Sequence, residues 1–241
     1  YLPKLIFAVF HLGDDLVHGV RSLFASPAPA GQARTMTRQV FLTRIGLGMA
    51  ALPFLGVLYG IIKGRFDYRV SRHVLRFPDL PDNFNGFRIV QVSDIHIGSF
   101  LGHKKQVEDA VRLVNAQDAD VVLFTGDMVN NAARELDGWE EILGRMRARH
   151  FKAAVLGNHD YGDYANWENP QAKKENLMDL VARQKRMGFK MLLNDAVRLE
   201  RDGQELAILG VENWGLPPFP QHGDLDKAYN KVQDVPFKVL M

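Results

Sequence analysis

Residues 87–92, 121–124 and 153–156 are three short apolar runs separated by two stretches of helical period, and no other feature limits the fold of this chain so narrowly. In the first helical stretch, about 104–116, Val107, Val111 and Val114 fall on one face, and the second covers about 134–149. Strand, helix, strand, helix, strand sets parallel strands side by side with their crossovers packed on the sheet. The expected class is therefore α/β. Downstream, a helix is expected over 173–187, with short strands near 191–193 and 197–199, a buried strand at 206–209 and a last one over 235–241. Residues 70–77 alternate weakly, as an edge strand would.

Each of the three apolar runs ends in a polar cluster: Asp94-Ile95-His96, Gly126-Asp127-Met128-Val129-Asn130 and Gly157-Asn158-His159-Asp160. Open α/β sheets bind ligands beyond the carboxyl ends of their strands, so the clusters should meet in space. Taken singly, Asp-x-His reads as a surface pair, Gly-Asp as a turn, and Gly-Asn-His-Asp as a loop with a helix-capping residue. Taken in order, each at a strand exit, they read as one site. The chain has no cysteine, which excludes disulfides and thiolate metal sites. Carboxylate, imidazole and amide donors suit hard or borderline divalent ions such as manganese, iron or zinc.

In this order and at this spacing the clusters resemble the opening motifs of the calcineurin-like metallophosphoesterase superfamily, D-x-H, G-D-x-x-[DN] and G-N-H-[DE]. The resemblance covers about residues 85–241 and implies an α/β/β/α sandwich. It also implies that Asp94 and His96 bind a first metal ion, that Asp127 bridges two ions, and that Asn158 binds the second. His159 is then placed beside the leaving-group oxygen, with Asp160 hydrogen-bonded to it and raising its pKa. The implied reaction is hydrolysis of a phosphomonoester, phosphodiester or pyrophosphate by a water activated between two divalent ions. The family's later histidine and its terminal G-H-x-H motif have no counterpart here, and we expect the domain to be incomplete at its C-terminus. His222 reads as a loop residue, Trp139 and Trp167 as packing aromatics, and the apolar segment 213–220 as a loop near the site.

Ahead of this domain, residues 45–62 carry no charge and are long enough to span a bilayer. Their four glycines and Pro53 would weaken a soluble helix but are common in membrane helices. Residues 1–66 are therefore expected to form a membrane-anchor region, with 2–12 as the remnant of an earlier span and 67–241 as the metallophosphoesterase domain. Arginines and lysines flank the stretch on both sides, so the positive-inside rule does not orient it. The net charge of +2 and the sequence pI of about 8.8 are too mild for a nucleic-acid partner, and no basic and aromatic track accompanies the site. The chain is similar to the membrane-anchored bacterial subgroup of the superfamily, which implies location at the cell membrane. By the same analogy the phosphate-ester substrate is a lipid-linked nucleotide such as UDP-2,3-diacylglucosamine. The competing expectation is a membrane-tethered binding or scaffold protein whose metal site has decayed.

Overall fold

The computed structural model describes residues 12–13, 15–16, 19–20, 38–100, 102–217 and 220–241. The remnant span expected at 2–12, apart from Leu12, and the loop ahead of residue 38 lie outside them. The chain divides into two compact units, Tyr1–Arg65 and Phe66–Met241.

The described part of the first unit is dominated by helix α1, Arg38–Ile62, which contains Pro53 and has no acidic residue in its first turn and no basic residue in its last. Its apolar side chains do not converge on one stripe. Leu47, Met49, Phe54, Leu55, Val57 and Ile61 are all exposed. Among the described residues no helix is long and apolar enough to cross a membrane. The stretch 45–62 lies within α1, where some residues fall outside the description of side chains.

In the second unit, β1 (Ile89–Val92), β2 (Val121–Phe124), β3 (Phe151–Ala154) and β4 (Phe189–Met191) form a parallel sheet in that order. The crossovers contain α2 (Lys104–Asn115), α3 (Glu140–Gly144) and α4 (Pro170–Arg186). A second sheet pairs β5 (Asp195–Arg201) antiparallel to β6 (Gln204–Gly210), and β6 parallel to β7 (Phe237–Leu240). Between β6 and β7 lies the short helix α5, Leu225–Tyr229.

Three apolar layers follow from the two-residue period of the strands. Phe124 and Ala154 face one way and pack with Val107, Val111, Ile142 and Leu180 of the helices. Val121, Leu123 and Ala153 face the other way and meet Leu199, Leu206 and Ile208 of the second sheet. On the far face of β6, Ala207 and Leu209 pack with Ala228, Val232 and Val235. Helices, sheet, sheet, helix is the expected α/β/β/α order.

Some elements differ from expectation. Residues 70–77 form no strand; they run exposed, with Phe77 packed edge-on against Phe237. The helix expected over 134–149 is a 3-10 turn, Ala133–Leu136, followed by the five residues of α3, because Asp137 leaves helical geometry at ψ 120°. The third strand ends at Ala154 rather than 156, and β4 ends at Met191, where a strand over 191–193 was expected. Lys152 accounts for part of this arrangement. Buried on β3, its ammonium donates to Met187 O at the end of α4 (2.6 Å) and to Gly144 O at the end of α3 (3.0 Å). One cation thereby caps two carbonyl-rich helix ends.

Candidate metal centre

The first two strand exits are joined backbone to backbone. The N–H groups of Asp94, His96 and Ile97 donate to the carbonyls of Gly126, Asp127 and Met128, each at 3.0 Å. Asp94, His96 and Asp127 hold φ values of 55°, 47° and 58°. That left-handed region is costly for most side chains and is least so for short polar ones. Such residues concentrate where surrounding structure fixes a functional loop.

Glycine permits the next approach. Gly126 sits at φ 104°, and a Cβ there would fall 2.3 Å from the Gly157 nitrogen. A Cβ on Gly157 would fall 2.3 Å from Asp127 Oδ1. The second and third exits are therefore in direct contact at the carboxylate expected to bridge.

Beneath them, Asp160 is fully buried. Its Oδ2 accepts the N–H groups of Asp127 (2.9 Å) and Gly157 (3.0 Å), and its Oδ1 those of Met128 (2.9 Å) and Val129 (3.3 Å). This corrects the expectation that Asp160 bonds His159. All four contacts are to backbone, and Asp160 ties two loops together instead of tuning the histidine. Burial pushes its carboxyl up, to about 7, with the Asp127 carboxylate adding to the push and the N–H donors opposing it.

Above this base the ligand-type side chains converge. Asp127 Oδ1 accepts the His159 N–H (2.8 Å), and its Oδ2 lies 3.7 Å from His96 Nε2. His96 Nε2 is in turn 4.0 Å from Asp94 Oδ1. Asp94 is the most open of the set and also accepts the Ser93 hydroxyl. His159 Nδ1 donates to the Asn130 carbonyl (2.8 Å), so its Nε2 is the nitrogen left with a free lone pair. One ligand atom from each of His96, Asp127 and His159 lies within 4.8 Å of the others. The rings of His96 and His159 meet edge to face at 4.7 Å. Among the described residues no lysine or arginine forms an ion pair with Asp94, Asp127 or Asp160. Two carboxylates and two imidazoles facing one another without a protein cation form a donor set that fits a divalent ion.

Asn158 stands next to this cluster, its Nδ2 donating to the hydroxyl of Tyr164 (2.9 Å), whose ring lies 4.5 Å from that of His159. Sequence reasoning did not single out Tyr164, and no motif announces it. It also passed over Glu135, whose carboxylate gathers the N–H groups of Asn130, Asn131 and Ala132 at 2.7–2.9 Å and so shapes the carbonyl that holds His159. The signal available there was an acidic residue in the first turn after a loop. Farther out, the Tyr161 hydroxyl donates to Glu212 Oε1 (2.9 Å), and burial followed by that carboxylate pushes the phenol above its ordinary value. His222 stacks on Tyr161 at 4.0 Å in a loop. Trp139 is core, and the Trp167 indole donates to Gly162 O.

Residues 87–233 match the family model described as calcineurin-like phosphoesterase, and residues 1–65 match one described as probable calcineurin-like phosphoesterase, transmembrane domain. A transmembrane protein with metallophosphoesterase domain from Danio rerio is 29% identical over 181 residues, covering 72% of this chain and 38% of that one. An uncharacterized metallophosphoesterase of Bacillus subtilis, YkuE, is 28% identical over 174 residues, 71% of this chain and 55% of its own. A UDP-2,3-diacylglucosamine pyrophosphatase, LpxG, of Chlamydia trachomatis is 32% identical over 102 residues, 41% of this chain and 30% of its own. The chain thus spans between about a third and just over half of the length of these relatives.

Proposed function

The chain belongs to the calcineurin-like phosphoesterase family, and from that premise we propose that it is a membrane-anchored hydrolase that cleaves a phosphate ester at a pair of divalent ions held by the strand-exit loops. The observation that carries this reading is the convergence of His96, Asp127 and His159 within 4.8 Å at the carboxyl ends of β1, β2 and β3. Asp94 and His96 would hold one ion and Asn158 the other, with the Asp127 carboxylate within reach of both sets. When bound, such ions supply Lewis acidity to the phosphoryl group and acidify water at neutral pH, and manganese, iron and zinc all suit this donor set.

The remaining roles belong to the protein. His159 anchors Nδ1 on the Asn130 carbonyl, so Nε2 faces away from that bond and is the atom that holds or delivers a proton at the leaving oxygen. Asp127 accepts the backbone N–H of His159, which holds the carboxylate and the ring in one register. Asp160 keeps both loops at their spacing through four N–H bonds, a positioning task rather than a chemical one.

Anchoring rests on the match of residues 1–65 to a transmembrane family model, since among the described residues no helix is long and apolar enough to cross a membrane. A lipid-linked nucleotide substrate draws support only from the likeness to the diacylglucosamine pyrophosphatase. The test is metal titration of the complete protein in detergent beside hydrolysis of a phosphodiester. Two ions should bind and support turnover, and Asp127→Ala should impair both. Two ions bound at unchanged affinity by that variant would remove Asp127 from between them.

A further inference from the structure

Tyr164 is about half exposed, yet its hydroxyl and its ring both meet groups of the site. Three residues on, Trp167 does the structural work of this loop, its ring against Gly162 and its indole N–H on the Gly162 carbonyl. The tyrosine, on Asn158 and His159, needs another account.

The chemistry of the amide supplies one. A carboxamide offers a metal its oxygen and not its NH2, so an asparagine ligand must present the correct end. Tyr164 accepts the hydrogen bond of Nδ2 at 2.9 Å, and Asn158 Oδ1 has no recorded hydrogen-bond partner among the described residues. The amide is therefore oriented with its nitrogen on the phenol and its oxygen free. The same phenol ring lies at 30° to the His159 ring, which also meets the His96 ring at 90°. Its one hydroxyl and one ring face thus set two adjacent groups of the site.

We propose that Tyr164 is a positioning residue that orients the Asn158 amide for metal ligation through its hydroxyl and supports the His159 ring through its face. This rests on the metal-site reading given above. Partners that orient a metal ligand typically contribute tenfold to a hundredfold in affinity. Tyr164→Phe should therefore weaken one of two Mn2+ binding events by about tenfold and leave the other, and the unfolding midpoint of the metal-free chain, unchanged. In the paramagnetic resonance spectrum, the exchange-coupled signal of the Mn2+ pair should require a correspondingly higher Mn2+ concentration.

Asn158→Asp gives the decisive control, because a carboxylate presents oxygen whichever way it turns. In that background Tyr164→Phe should cost nothing, so the two substitutions should be strongly non-additive. A merely structural tyrosine would give the same loss in both backgrounds, and that result would overturn the proposal. So would Tyr164→Phe binding both ions as the unsubstituted chain does. If the unsubstituted chain takes up no Mn2+ pair, the metal-site reading itself fails, which is a different result from either.

Discussion

Replacing Gly157 with alanine tests the close approach of the second and third strand exits. The new Cβ would lie 2.3 Å from Asp127 Oδ1 and 2.6 Å from Asp127 N, whereas ordinary contact begins at 3.4 Å. The carboxylate must therefore retreat by about 1 Å, and the backbone nitrogen beside it prevents relief by a side-chain rotation alone. Overpacking of this kind costs about 1–3 kcal/mol. The His159 N–H bond to Oδ1, at 2.8 Å, is broken in the same movement, adding about 1.5–3 kcal/mol for a bond to a charged acceptor. The expected total is about 2.5–6 kcal/mol, a large part of the roughly 5–15 kcal/mol that holds a domain together. Gly203→Ala is the matched control: Gly203 has φ 77° but nothing within 4 Å, so alanine there carries only the left-handed backbone cost of about 1–2 kcal/mol. Denaturant unfolding of the metal-free chains measures both, and Mn2+ titration of each follows. Metal distances tolerate about 0.2 Å, so a carboxylate displaced by about 1 Å should lose the ion while Gly203→Ala keeps it. If Gly157→Ala is no less stable than Gly203→Ala and binds Mn2+ normally, the contact between the exits is not as described.

Asp160→Asn replaces one acceptor oxygen with a donor aimed at two buried N–H groups, and should lower stability by about 2–4 kcal/mol in calorimetry and weaken metal binding without touching a ligand. Lys152→Met keeps the packing but leaves the Gly144 and Met187 carbonyls without the ammonium, for a loss of about 1–3 kcal/mol at neutral pH in urea unfolding. Burial holds the Lys152 ammonium below 10.5, so the folded chain releases that proton before the unfolded one. The lysine's contribution to stability should then rise as pH climbs toward 10.5, and the variant should lack that slope. His159→Ala should retain metal while kcat falls by about 10²–10⁴-fold, less for a nitrophenolate than for an alkoxide leaving group in parallel assays. The full chain should float with vesicles and resist carbonate extraction, and its recovery in the soluble fraction would remove residues 1–65 as the anchor.

The parallel sheet was readable because its strands are short, apolar and spaced by crossovers of ordinary length, so 121–124 could hardly be anything else. The strand-exit clusters followed from where such sheets bind ligands. The broken helix after Leu136 was not readable: its residues keep a helical period through Asp137, and only the turn there, set by packing of Trp139 into the core, interrupts it. Asp160 was misread for a similar reason. Adjacency to His159 in sequence suggested a bond, but the 3-10 turn His159–Tyr161 sends the two side chains apart, one to the open cluster and one to buried N–H groups. Tyr164 gave no signal, because a tyrosine four residues past a motif is common and only the return of the loop brings it over the site.

The left-handed backbone of Asp94 and Asp127 separates the two things these residues do. Asparagine is as much at home in that conformation as aspartate and nearly the same size, so Asp→Asn at either position should disturb the loops little while withdrawing a charge that a cation requires. A chain so altered would keep its architecture while losing the carboxylate that a cation needs. Within this fold, then, the distance from loops that suit a cation to loops of the same shape that do not is a single base change, G to A in the first position of an aspartate codon.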